Sequence, residues 1–82
     1  MTLITRLFKR KKLNNHNLTR QQYRVLQLMK EGQSNKEIAM SLNISYQTAK
    51  NHASAVLKAM DAHNRTDAVL KGIKQGIVTL RR

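Results

Sequence analysis

Apolar residues recur along the chain at three- and four-residue steps, with no useful run of the strict alternation that marks a half-buried strand. Over residues 19–31 they are Tyr23, Val25, Leu26, Leu28 and Met29, which predicts a first helix with one apolar side. Thr19 followed by Gln22 has the form of a capping box, and Gly32 stands where a left-handed residue closes a helix. A second helix of about two turns opens at Ser34, with Glu37 completing another box and Ile38, Ala39 and Leu42 turned inward. Asn43, Ile44 and Ser45 make a tight turn, and Ser45 caps a third helix over residues 46–60. Residues 61–63 read as a linker. Asn64 and Asp67 start a fourth helix over residues 65–75, with Gly76 closing it and Val69, Leu70 and Ile73 facing inward. The fold class is therefore all-α, four helices, with the second and third forming a helix-turn-helix.

The third helix is the informative one. Wound at about 100° per residue, it gathers Tyr46, Ala49, Ala53, Val56, Leu57 and Met60 on one side. Opposite them lie Gln47, Lys50, Asn51, Ser54 and Lys58, a stripe of donors and acceptors without a single acid. A merely solvated helix face mixes glutamate with lysine. This one does not.

Charge sharpens that contrast. Across 82 residues, sixteen Lys and Arg face four acids, a formal charge of +12. The excess is not confined to a tail, because residues 19–82 hold eleven basic side chains against the four acids. Such a field favours nucleic acid or an anionic membrane surface as partner. The length allows one domain with a modest core. Cysteine is absent, so no disulfide framework or cysteine-based zinc site supports that core. His16, His52 and His63 lack metal-ligand spacing, and neither metal nor cofactor is expected. Scattered acids give no general acid/base pair and no glycine-rich phosphate loop is present, so the chain does not read as an enzyme. No run approaches the ~20 apolar residues of a membrane span, and the N-terminus lacks a secretory signal. A cytoplasmic, nucleoid-associated protein is the expectation.

Residues 1–17 form a segment of their own, a basic amphipathic leader or linker. Leu3, Ile4, Leu7 and Phe8 recur at helical spacing among Arg6, Lys9 and Arg10, while residues 13–17 are rich in asparagine. Two readings stand side by side: a frayed leader or interdomain linker, or a helix that docks on a membrane or partner domain.

Several residues then fall into a known order. Leu18-Thr19, Val25-Leu26, Gly32, the block Ser34-Asn35-Lys36-Glu37-Ile38-Ala39, Leu42, Ile44-Ser45, Thr48, Lys50, His52 and Asn64-Arg65-Thr66 match the spacing of the LuxR-type helix-turn-helix domain. The chain resembles that domain over residues 18–78 without a gap, and it is most similar to the stand-alone GerE-type regulators. Residues 18–82 are accordingly assigned to the domain. The resemblance implies a bacterial transcription regulator that binds double-stranded DNA as a homodimer on two half-sites, with the third helix in the major groove.

The resemblance also implies base reading through Lys50, Asn51 and Ser54, with Gln47 on the same stripe. It places Lys36 beside the duplex backbone, as a phosphate contact or simply a solvated lysine; Thr48 and His52 flank the stripe as phosphate contacts, and Lys58 on the stripe joins them. A plain packing role for His52 stays open. The fourth helix is implied as the pairing surface. With Val69, Leu70 and Ile73 turned inward, its other face holds Ala68, Lys71, Gly72 and Gln75. Ala68 and Gly72 are small enough to admit a second helix, or are simply surface residues.

The chain departs from the family at several positions. Gln21-Gln22 replaces Arg-Glu and Arg24 replaces Glu, which puts an internal salt bridge in question. Ala49 stands for the usual valine, and Ala59-Met60 for Lys-Leu, which thins the core. An RNA binder would also fit the charge, but one Phe and two Tyr are few for stacking on bases. A third class is a module docked on RNA polymerase or a second regulator. Family members often carry a regulatory domain upstream, so the chain is either a complete stand-alone regulator or the end of a longer one.

Overall fold

A computed structural model describes residues 18–79, and the leader and linker expected over residues 1–17 lie outside it. The described chain forms α1 (Arg20–Lys30), α2 (Asn35–Leu42), α3 (Tyr46–Ala59) and α4 (Arg65–Lys74), with no strand among the described residues. Every helix starts by the same device. Thr19, Ser34, Ser45 and Asn64 each accept, through a side-chain oxygen, the backbone N–H three residues on. Gln22 and Glu37 return the bond to the backbone N–H of Thr19 and Ser34, completing two capping boxes.

The helices also end alike. Gly32, Asn43, Asp61 and Gly76 take φ of 84°, 58°, 55° and 75°. The N–H of the residue after each reaches back to a carbonyl of the last turn: Gln33 to Leu28, Ile44 to Ala39, Ala62 to Leu57 and Ile77 to Gly72. Asp61 is the unexpected member, since a linker reading did not require it to be left-handed. Aspartate tolerates that region better than most residues, which is why a sharp stop is made here without glycine.

α1 lies at the centre and packs against the other three helices. It contributes Val25 and Leu26, both fully buried, and Met29. Ile38 from α2, Val56 from α3, Met60 at its C-cap and Val78 beyond α4 add further bulk, while Ala49, Ala53, Ala68 and Gly72 present almost none. Small residues on α3 and α4 let those helices approach α1 closely. No polar or charged side chain is buried among the described residues.

That close approach corrects the expected faces of α4 in part: Val69 and Ile73 do pack against the core, but Leu70 does not. Ala68 is fully buried and Gly72 is buried with it, whereas Leu70 is 55% exposed. A Cβ on Gly72 would stand 3.2 Å from Leu26 Cδ2 and 3.3 Å from Val78 Cγ2, so only a residue without bulk fits the contact line. Val69 and Ile73 flank the line half-buried, and Leu70 is displaced to the outside. The pairing face expected from Ala68, Lys71, Gly72 and Gln75 therefore does not exist as one surface. Lys71 is engaged within its own chain, donating to the Asp61 carbonyl and lying 3.8 Å from Asp67. Of the four, only Gln75 is exposed.

Two aromatic assignments change as well. Tyr23 is 39% and Tyr46 54% exposed, so neither belongs to the core. A long connection not foreseen from sequence ties the fold together: Arg65 donates from Nη1 to Asn35 Oδ1 at 3.0 Å and from Nη2 to the Gln33 carbonyl at 2.7 Å.

Candidate nucleic-acid interface

The turn between α2 and α3 is fixed by the left-handed Asn43 and by Ser45, whose hydroxyl both accepts the Thr48 N–H and donates to Thr48 Oγ1 at 2.8 Å. α3 is then locked in rotation by burial of Ala49, Ala53 and Val56. The opposite side must face outward. Gln47, Lys50, Asn51, Ser54 and Lys58 are all exposed there, and Thr48 and His52 lie half-buried along one flank. Lys36, in the first turn of α2, is exposed and lines a shallow groove with Ser34, Asn35 and Tyr46.

Two pairs organise the stripe, each linking residues one helical turn apart. Gln47 Nε2 donates to Asn51 Oδ1 at 3.0 Å. The Lys50 ammonium lies 5.9 Å from the centroid of the Tyr46 ring. Tyr46 is the residue that periodicity misplaced. As the first residue of α3 its side chain leans toward the helix N-terminus, as all helical side chains do, and lines the groove with Ser34, Asn35 and Lys36 instead of covering the core. That tendency is the signal that could have found it.

The charge distribution leaves this face of α3 without a negative charge, Lys50 and Lys58 being its charged members. α3 contains no acid, and neither it nor α1 has one in its first turn. Glu31 caps the end of α1, and the Glu37 carboxylate is engaged by the Ser34 N–H. Asp61 follows α3, and Asp67 sits in the first turn of α4. The Asp67 carboxylate accepts the His63 N–H at 3.0 Å, which holds its pKa below the ordinary aspartate value, with Lys71 and His63 adding to the effect. Among the described residues no three His, Asp or Glu side chains converge as for a metal, and no helix is long and apolar enough to cross a membrane.

A four-helix fold with a basic, acid-free third helix defines a helix-turn-helix domain. The family model GerE, bacterial regulatory proteins of the luxR family, matches residues 16–71, and the chain belongs to that family, one of regulatory proteins and not of enzymes. It is similar to the transcriptional regulatory protein DegU of Brevibacillus brevis, 48% identical over 66 residues, which is 80% of this chain and 28% of the relative. It is 49% identical over 53 residues to the glycerol metabolism activator of Pseudomonas putida, covering 65% of this chain and 24% of that protein. The chain thus spans about a quarter of the length of these curated relatives. Among solved structures, the transcription factor GerE aligns with a TM-score of 0.72 and 30% identity, covering 78% of this chain and 96% of that one.

Proposed function

We propose that this chain is a sequence-specific double-stranded DNA-binding transcription regulator that lays α3 in the major groove and pairs on two half-sites. One observation carries the reading: an acid-free row of exposed hydrogen-bonding side chains on the helix that follows the turn, backed by a row of buried alanines. Lys50 is long enough to reach the O6 and N7 acceptors of guanine. Asn51 offers an amide that pairs with adenine, its Oδ1 keeping a free lone pair beside the Gln47 bond. Gln47 and Ser54 complete the base-reading set. Lys36, His52 and Lys58 take phosphates, and Thr48 joins them through the hydroxyl proton that the Ser45 bond leaves over.

Pairing is assigned to the outward stripe of α4, where exposed Thr66, Leu70 and Lys74 follow one another at single-turn spacing. Two strongly positive protomers repel, so DNA supplies much of the pairing energy and the pair forms mainly on the duplex. A pseudo-palindrome with half-sites about one helical turn apart follows from that symmetry. Residues 18–82 are the DNA-binding unit, and the basic leader or linker of residues 1–17 adds sequence-independent attraction. The nucleoid is the place of action.

Selection of bound duplexes from a random library tests the reading and returns the site and its spacing together. Affinity should fall steeply with salt, as expected for roughly four to eight phosphate contacts per dimer. Lys50→Ala should cost about 1–3 kcal/mol on the selected site and relax one base pair, whereas Lys36→Ala should weaken all duplexes about equally. Equal binding of duplex RNA of the same sequence, or an unchanged site for Lys50→Ala, would reject it.

A further inference from the structure

We infer that Tyr46 is a positioning residue for sequence recognition, one that holds the Lys50 ammonium over the base pair it reads. The inference rests on the assignment of α3 as the base-reading helix. Tyr46 is the first residue of that helix and 54% exposed, although it is among the largest apolar side chains in the domain. The core does not claim it, and the residues around its groove, Ser34, Asn35 and Lys36, are polar or charged.

What lies over its ring is Lys50. The ammonium sits 5.9 Å from the ring centroid, at the outer edge of the range in which the negative face of an aromatic ring attracts a cation. The direction of the contact follows from helix geometry. Side chains lean toward the N-terminus, so a lysine one turn on reaches back over the ring of Tyr46. A free lysine has four rotatable bonds and reads a guanine only after losing that freedom. A ring beneath it restricts the ammonium before DNA arrives and biases it toward the helix start, the end of a recognition helix that meets base edges. Asn51 is restrained in the same way by Gln47, so each of the two main reading residues has a partner one turn before it. No acid competes for Lys50 anywhere on α3.

Selections from a random duplex library with the full chain test the inference. Lys50→Ala first identifies the base pair whose preference relaxes. Tyr46→Ala should relax that same base pair by about two- to fivefold, the range for an exposed cation–ring contact, and leave the other positions of the site unchanged. Tyr46→Phe should retain discrimination because it keeps the ring, and Tyr46→Leu should behave like alanine because it keeps bulk without one. In a Lys50→Ala background, Tyr46→Ala should add nothing at that position. Helical circular dichroism of each variant checks folding, and the tyrosine's exposure makes all three substitutions tolerable. A uniform loss of affinity with discrimination intact, or an additive loss in the Lys50→Ala background, would overturn the inference by making Tyr46 an independent DNA contact. If Lys50→Ala relaxed one position and Tyr46→Ala did not, only this inference would fall. If Lys50→Ala changed no position, the reading of α3 itself would fall with it.

Discussion

α3 and α4 are both amphipathic, both capped at each end and both packed on α1, yet their inward faces are legible from sequence to different degrees. On α3 the small residues Ala49 and Ala53 fall in line with Val56 and Met60, so periodicity points the alanines at the core, where they are. On α4 the small residues take the centre of the contact and the bulky ones its edges or the outside. The helix turns Ala68 and Gly72 inward and leaves Leu70 at the surface. Hydrophobicity ranks side chains by the area they can bury, but a helix seated close to its neighbour is limited by space. α1 already supplies Val25, Leu26 and Met29, and what it needs opposite is absence of bulk. A stripe of small residues is therefore as good a mark of close packing within one chain as of pairing between two.

Gly72→Glu is the largest expected break in that comparison. Even a Cβ at this position meets Leu26 and Val78, and the rest of the side chain would bring a carboxylate into an apolar contact. Overpacking and an unpaired buried charge together should cost about 3 kcal/mol or more. A domain this size has little margin, so cooperative thermal unfolding should be lost or shifted far down. Leu70→Glu is the counterpart. It should leave the melting of the free chain nearly unchanged and weaken cooperative occupancy of a two-half-site duplex. A stable, cooperatively folded Gly72→Glu protein would mean that α4 does not sit on α1 as described.

Arg65→Ala should come next. The guanidinium joins the start of α4 to the side chain of Asn35 and the carbonyl of Gln33, thirty and more residues earlier in the chain. Loss of these charge-assisted bonds should cost about 1.5–3 kcal/mol in chemical denaturation. Lysine should not restore it, because the two acceptors are met by a planar fork. Full rescue by Arg65→Lys would show that charge alone matters there.

Arg65 also marks how far sequence could see. Caps and stops are local, since each needs one residue type within a few positions, and all four N-caps and both closing glycines were readable. The polar stripe of α3 was readable because its apolar side is continuous. Arg65 bonding Asn35 depends on where two distant helix starts meet, and no periodicity encodes that. Tyr46 failed for a subtler reason: it lies on the apolar side by rotation but beyond the core by its position at the helix end. Rotation is a property of spacing, whereas reach past the first turn depends on what the neighbouring helix places there.

The smallest expected effect contrasts the N-termini of the same two helices. α4 has an acid in its first turn and α3 has none, so the positive end of one helix dipole meets a carboxylate of the chain and the other only the neutral cap Ser45. Asp67 supplies that carboxylate and accepts the His63 N–H at 3.0 Å, with Lys71 Nζ at 3.8 Å and His63 Nδ1 at 4.0 Å from the same oxygen. The first of these holds its pKa below the ordinary value of 3.8, and the nearby cations assist. A carboxylate more acidic in the folded than in the unfolded chain stabilises fully above the unfolded value, and the contribution disappears as pH falls through the folded one. Asp67→Asn should therefore melt slightly below the parent chain at neutral pH, and the two should converge below about pH 4 as the aspartate is protonated. Because the partners of Asp67, His63 and Lys71, both lie outside α3, the substitution should leave sequence preference on duplex DNA untouched. A melting difference that stayed constant from neutral to acidic pH would assign Asp67 a purely steric role, and a changed base preference would mean that the N-terminus of α4 also faces the duplex.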